Sequence, residues 1–369
     1  MTARLASGPT VDAVRDVIRD DIRAITGYTV PNAAGLIKLD AMENPYSLPD
    51  SLRPELGARL AAVDFNRYPP ANPAPFKQRL ARAMGVPVAA RLMLGNGSDE
   101  LIHLIIQACA RPGATVMAPW PGFEMIELST RFNGCRFVGV PLVARDFSLD
   151  RTAMLAAIEA ERPAVIFIAY PNNPTGNAFD RSTIEAVLDA APGLVVLDEA
   201  YLPFACDTWM PQLERWPNLL VLRTLSKLGL AGIRLGYLAG GPPWIEQLEK
   251  VRPPYNVNVL TLTVADFMLD HLEPLEEQAA AIRAERARVA AALGALPGIQ
   301  VFPSSANFLL FRVAAPDVVY TGLKERGILI KNVSMMHPLL TGCLRTTVGT
   351  PTENDAFLRA LAAVLESCR

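Results

Sequence analysis

Five short apolar runs set what this chain can fold into: residues 115–118, 164–170, 194–197, 219–222 and 235–239. Each is strand length and shows little polar alternation. A strand made of such a run must be covered on both faces, as in a parallel sheet layered by helices. Residues 98–110 precede the first run, 125–131 and 181–190 lie between runs, and all three carry apolar residues at helical spacing. The alternation predicts an α/β fold with a mostly parallel central sheet sandwiched by helices. After Pro253-Pro254 the character changes. Residues 272–296, rich in Ala, Glu and Arg, read as one long helix. Residues 308–313 and 327–330 read as strands, and 353–366 as an amphipathic helix. This predicts a second, smaller α+β unit. Before the sheet, 11–25 has helical spacing, 35–41 reads as a short strand, and the proline-dense 68–75 reads as an extended loop.

Composition narrows the function classes. With 35 Lys and Arg against 37 Asp and Glu, the net charge of −2 gives no pull toward nucleic acid or an anionic membrane. No apolar run approaches membrane-spanning length, and the N-terminal residues lack the pattern of a secretory signal. The five cysteines lie far apart with no CxxC, which fits a reducing compartment and a cytoplasmic protein. The three histidines are equally scattered, so local spacing offers no metal site.

In open α/β sheets, ligands sit beyond the carboxyl ends of the strands, so the segments after each apolar run hold the chemistry. After 164–170 comes Pro171-Asn172-Asn173-Pro174-Thr175-Gly176. After 194–197 comes Asp198-Glu199-Ala200-Tyr201. After 219–222 comes Arg223-Thr224-Leu225-Ser226-Lys227, then a glycine-rich stretch to Arg234. Gly95-Asn96-Gly97 precedes the helix that starts at Ser98. Taken singly, each has a plain reading: a turn, a helix cap or a loop. Taken together they describe a site. Free N–H groups at the helix start favour a phosphate. A carboxylate at the end of a buried strand requires a partner.

Lys227 is the most informative residue. The chain has only six lysines, and arginine supplies the other 29 basic residues. A guanidinium stays protonated, whereas an amine can lose its proton and form a Schiff base. A lysine placed after a buried strand therefore suggests chemistry that arginine cannot perform. A phosphate cradle, such a lysine and an anion able to pair with a pyridinium nitrogen are together the requirements of pyridoxal phosphate. Arg234, seven residues on, can add a fixed cation at the phosphate.

Asn-Asn-Pro-Thr-Gly, Asp-Glu-Ala-Tyr, Arg-Thr-Leu-Ser-Lys and Leu-Ala-Gly-Ile-Arg-Leu-Gly, in this order, resemble fold-type I aminotransferases of class I and II, and among them the histidinol-phosphate aminotransferases. Supporting segments span most of the chain: Glu43-Asn44-Pro45, Arg67-Tyr68-Pro69, the run from Gly95 to Glu100, Pro254-Tyr255-Asn256-Val257-Asn258, Ala306-Asn307-Phe308 and the run from Leu344 to Thr350. The resemblance implies an N-terminal arm over 1–40, a large cofactor domain over 41–255 and a small domain over 256–369 that packs with part of the arm. It implies that Lys227 bonds the cofactor and then carries the substrate proton. Asp198 would pair with the ring nitrogen, and Asn173 and Tyr201 with the ring hydroxyl. Ser98, Asp99, Thr224, Ser226 and Arg234 would hold the phosphate. Tyr68 would reach it from a second subunit of a homodimer. Arg345 would clamp an α-carboxylate, and Tyr28, Asn44, Asn173, Tyr255 and Lys331 would line the substrate site.

Two departures stand out. Relatives often stack a tyrosine on the ring where this chain has Phe123, with Trp120 as the other candidate, and many carry arginine where it has Lys331-Asn332. The implied reaction moves an amino group between histidinol phosphate and 2-oxoglutarate in histidine biosynthesis. Similar enzymes act on aromatic or diverse amino acids or decarboxylate threonine phosphate. Regulators with an aminotransferase-like domain carry an N-terminal DNA-binding module, for which about 40 residues are too few.

Overall fold

The structure is a computed structural model that describes residues 11–25, 27 and 31–367, with nothing stated for the side chains of 11–13. In chain order the strands are β1 (Ile37–Lys38), β2 (Arg91–Asn96), β3 (Thr115–Trp120), β4 (Arg136–Pro141), β5 (Val165–Ala169), β6 (Leu194–Asp198) and β7 (Leu219–Thr224). They continue as β8 (Leu235–Gly240), β9 (Gln300–Val301), β10 (Phe308–Arg312), β11 (Ile328–Leu329), β12 (Lys331–Asn332) and β13 (Cys343–Thr347).

The large sheet has the order β2-β8-β7-β6-β5-β3-β4. Neighbours are parallel except that β8 runs antiparallel to both β2 and β7. The fully apolar runs occupy the middle: every residue of β5, β6, β7 and β8 is buried. Two apolar clusters flank the sheet. One contains Ile166, Val195 and Val221 with Ile184 and Val187 of helix Arg181–Ala190; the other contains Phe167, Val196 and Leu222 with Leu101 and Ile105 of helix Gly97–Cys109. Alternate residues of one strand thus feed opposite layers, which is why a strand here needs no polar face.

The smaller sheet has the order β12-β13-β10-β9 with antiparallel neighbours. The long helix Glu273–Gly294 and the helix Pro351–Ser367 pack with it around Phe311, Leu323, Leu344 and Phe357. β1 pairs in parallel with β11, which ties the N-terminal segment to this unit. Helix Val259–Leu269 contacts helices Arg53–Ala61 and Ala74–Ala83.

Three sequence expectations change. The stretch 11–25 forms two short helices, Val11–Val17 and Asp20–Arg23. The strand expected over 35–41 covers only Ile37–Lys38. The proline-dense stretch does not stay extended to 75: helix Ala74–Ala83 takes Pro75 into its first turn, where a missing N–H costs nothing. Among the described residues, no helix is long and apolar enough to cross a membrane.

Candidate active site

The parallel strands deliver their polar ends to one place. β5 leads to Asn173, β6 ends in Asp198 and leads to Tyr201, and β7 ends in Thr224 and leads to Ser226 and Lys227. The first turn of helix Gly97–Cys109 adds Ser98 and Asp99. With Met42, Phe123, Ala169, Ala200 and Arg234, these side chains line one cavity. Four segments that are distant in sequence converge because each follows a strand of one sheet, or precedes a helix packed on it.

Asp198 is 4% exposed, and its Oδ1 accepts from the Ala200 N–H at 3.0 Å. Burial pushes its carboxyl up to about 7, against the pull of that N–H, with Asp99 and Glu199 adding repulsion. Lys227 Nζ donates to the Ala41 carbonyl at 3.1 Å and lies 5.9 Å from the centre of the Tyr201 ring. Burial pulls its ammonium down to about 8, and the Arg345 guanidinium adds to the shift. A carboxyl and an amine, both displaced toward neutrality, face one cavity, which is the electrostatic signature of a working site.

At the other end of the cavity the groups suit an anion. Thr224 Oγ1 and Ser226 Oγ are 2.9 Å apart, and Arg234 Nη1 donates to Ser226 Oγ at 3.5 Å. Arg234 also pairs with Asp99 at 3.4 Å and has a left-handed backbone, φ 54°. Gly97 starts the helix at φ +77°, and a Cβ there would stand 2.7 Å from Arg234 Nη2. A Cβ on Gly236 would stand 2.7 Å from the Ser98 backbone N. Both glycines keep this corner open to the helix N-terminus and its dipole.

The family model for aminotransferases of class I and II matches residues 34–361. The chain belongs to the class I and II aminotransferases. It is 57% identical to histidinol-phosphate aminotransferase 2 of Cupriavidus pinatubonensis, over 96% of this chain and 98% of that one. It is 56% identical to histidinol-phosphate aminotransferase 1 of Ralstonia nicotianae, over 99% of each. A solved structure of the Sinorhizobium meliloti histidinol-phosphate aminotransferase in complex with pyridoxal-5'-phosphate superposes with a TM-score of 0.84, at 26% identity, over 96% of this chain and 98% of that one.

Pyridoxal phosphate is the cofactor of this aminotransferase, and the cavity fits it on its own chemistry. Asp198 is a buried carboxyl whose ionised form is stabilised by a cation placed against it. Arg234, Ser226, Thr224 and the helix start form the anion end. Phe123 lines the cavity, while Trp120 packs edge-on against Phe137 at 5.0 Å and against Gly139. Of the two stacking candidates, only Phe123 faces the site.

Arg345, on β13, reaches the cavity through Asn173. Its Nη1 donates to Asn173 Oδ1 at 2.5 Å and its Nη2 to the Asp40 carbonyl at 3.1 Å. Lys331, on β12, is the register partner of Arg345. Asn44 Nδ2 donates to the Leu228 carbonyl and to Gln278 Oε1, and its Oδ1 accepts from the Tyr46 N–H. Its amide thus holds the backbone that follows Lys227. Tyr68 and Tyr255 are not among the residues lining the cavity; their rings stack at 4.7 Å, and Tyr68 is 81% exposed. Tyr28 lies outside the described residues. Motif reading missed Met42, Ala169 and Ala200, because an apolar lining residue has no sequence signal of its own. It also missed Asp40, which serves through its carbonyl.

Proposed function

We propose that this aminotransferase exchanges an amino group between L-histidinol phosphate and 2-oxoglutarate, in histidine biosynthesis. One observation carries the reading: Lys227, Asp198 and an anion-binding corner share one cavity in a chain that matches histidinol-phosphate aminotransferases end to end.

When bound, pyridoxal phosphate supplies an electron-poor ring that accepts the electron pair released at the substrate Cα. Asp198 would hold a proton on the ring nitrogen. Arg234, Ser226, Thr224 and the amides at Ser98 and Asp99 would hold the phosphate, and Asn173 and Tyr201 the ring hydroxyl. Phe123 would offer the ring apolar surface and exclude water. Lys227 Nζ takes the proton from the substrate Cα. An ordinary lysine near ~10.4 would be almost wholly protonated at neutral pH, and lowering it to about 8 leaves a working fraction of free amine. Arg345 receives the α-carboxylate of glutamate, exchanging its bonds to Asn173 and Asp40 for a bidentate pair. Lys331, Tyr255, Asn44 and Tyr28 belong to the substrate side.

The active unit is a homodimer in which Tyr68 serves the partner's phosphate. Its high exposure supports that reading, and sedimentation at micromolar concentration tests it. The chain divides into the arm, large domain and small domain given above, and it works in the cytoplasm.

The decisive experiment is a half-reaction: the purified enzyme, loaded with pyridoxal phosphate, is mixed with L-histidinol phosphate alone. The visible band of the bound cofactor is expected to convert to the near-ultraviolet band of its amino form, and Lys227→Ala to abolish the conversion. A stable visible band would overturn the substrate and point to aromatic amino acids or threonine phosphate. Unchanged conversion in Lys227→Ala would remove Lys227 from proton transfer.

A further inference from the structure

Residues 40–42 run past the cavity from β1 toward Glu43, and three successive carbonyls there accept from side chains. Asp40 O accepts from Arg345 Nη2 at 3.1 Å, Ala41 O from Lys227 Nζ at 3.1 Å, and Met42 O from Asn307 Nδ2 at 3.0 Å. The strap belongs to no helix or strand, and Met42 has a left-handed backbone, φ 53°. For a residue with a side chain that conformation costs about 1–2 kcal/mol, so surrounding contacts must hold it. Those contacts are Asn307 at the Met42 carbonyl and Thr347 Oγ1, which accepts from the Met42 N–H at 3.0 Å.

Asn307 is anomalous as a structural residue. It is 0% exposed, and its Oδ1 has no hydrogen-bond partner. An unsatisfied buried acceptor destabilises a fold, and leucine in its place would be favoured by packing alone. What leucine cannot supply is the N–H that holds Met42. We infer that Asn307 is a positioning residue for proton transfer: by anchoring the Met42 carbonyl it keeps the strap in the turn that aims the Ala41 carbonyl at Lys227 Nζ. A carbonyl only accepts, so the amine donates to it and keeps its lone pair for the substrate Cα. The inference rests on the reading of Lys227 as the proton carrier.

The test uses the holoenzyme in its amino form, where the Lys227 amine is free of the cofactor. Acetic anhydride labelling across pH 6–10, read by mass spectrometry of the Lys227 peptide, titrates that amine. Arg345, Arg234, Glu43, Asp99 and Asp198 surround it and are the same in every variant compared. Loss of the acceptor removes a bond that favours the charged amine. Asn307→Leu is expected to lower its titration by about half a unit to one unit. The isotope effect with Cα-deuterated glutamate should rise, and kcat should fall about tenfold with KM within about twofold. Asn307→Ala serves if leucine prevents folding. Glycine adopts the left-handed turn without an anchor, so adding Met42→Gly is expected to return the titration at least halfway.

A lowered melting temperature with an unchanged titration and isotope effect would make Asn307 purely structural and overturn the proposal. Failure of the glycine to restore the titration would overturn the route through the strap. Retained conversion in Lys227→Ala would instead defeat the reading of Lys227, while the labelling would still report on the strap.

Discussion

Asp198 and Glu199 are consecutive at the end of one strand and nearly equally buried, at 4% and 1% exposure, yet they sit in opposite environments. Glu199 faces away from the cavity into a complete set of partners. Arg223 Nε and Nη2 both lie 2.9 Å from its Oε2, Thr208 Oγ1 donates at 2.9–3.0 Å, and the Trp209 N–H donates at 2.5 Å. Asp198 faces the cavity with the Ala200 N–H as its hydrogen-bond donor. Alternation along a strand sends the two carboxyl groups to opposite faces. One side satisfies its charge within the protein. The other presents its carboxyl to the cavity, the orientation that the proposed pairing with a cationic ring nitrogen requires. A buried acid that the fold leaves without a paired arginine therefore marks the functional face, and its paired neighbour marks the structural one.

The comparison can be broken most directly on the structural side. Arg223→Leu leaves Glu199 charged, buried and unpaired, and should destabilise the protein by about 3–5 kcal/mol in urea unfolding. Turnover per folded molecule should be retained. A loss of turnover without a loss of stability would merge the two faces.

Asp198→Asn should do the reverse. On the proposed pairing of Asp198 with the ring nitrogen, turnover is expected to fall about 10²–10³-fold. The cofactor-free chain should gain stability. Asp198 titrates at about 7 in the fold against an ordinary 3.8 unfolded, so the folded state binds more protons between those values. Its contribution makes stability fall as pH rises from about 4 to 7, after which the loss levels off. The asparagine variant lacks this loss. It should exceed the wild type at pH 8 by up to about 4 kcal/mol and match it near pH 3, as read by thermal melts. Equal melting at pH 8 would show that the carboxyl is satisfied within the protein.

Cys206→Ser should be the smallest effect. The thiol is exposed in the loop beyond Phe204 and makes none of the hydrogen bonds named for either carboxyl, so the change should stay within about 0.5 kcal/mol.

Much of this arrangement was legible in the chain. The apolar runs became β3, β5, β6, β7 and β8, because five buried residues in a row have no stable use except between two helical layers. The segments after them supplied Asn173, Asp198, Tyr201, Ser226 and Lys227 to the cavity, since parallel strands end on one side. Of the strands with five or more residues, three were not legible. β4, Arg136–Pro141, lies at a sheet edge with half-exposed residues and no continuous apolar run. β2 has only three apolar residues in a row, Leu92-Met93-Leu94, between an exposed Arg91 and a half-buried Asn96, and it is held beside β8. β13 reads Cys-Leu-Arg-Thr-Thr, and its polar residues become buried only through pairing with β10 and β12.

Local pattern and residue type alone placed the helical layers about the sheet, put polar residues at the strand ends and singled out Lys227 among six lysines. Only the tertiary structure decided which neighbour of each pair faces the site. Strand pleat and packing turned Asp198 inward and Glu199 outward, and chose Phe123 over Trp120. It also decided contacts between residues far apart in the chain: β1 with β11, Arg345 with Asp40, and Asn307 with Met42. Such pairs carry no local signal, because the energy that fixes them appears only when the N-terminal segment has closed onto the smaller unit.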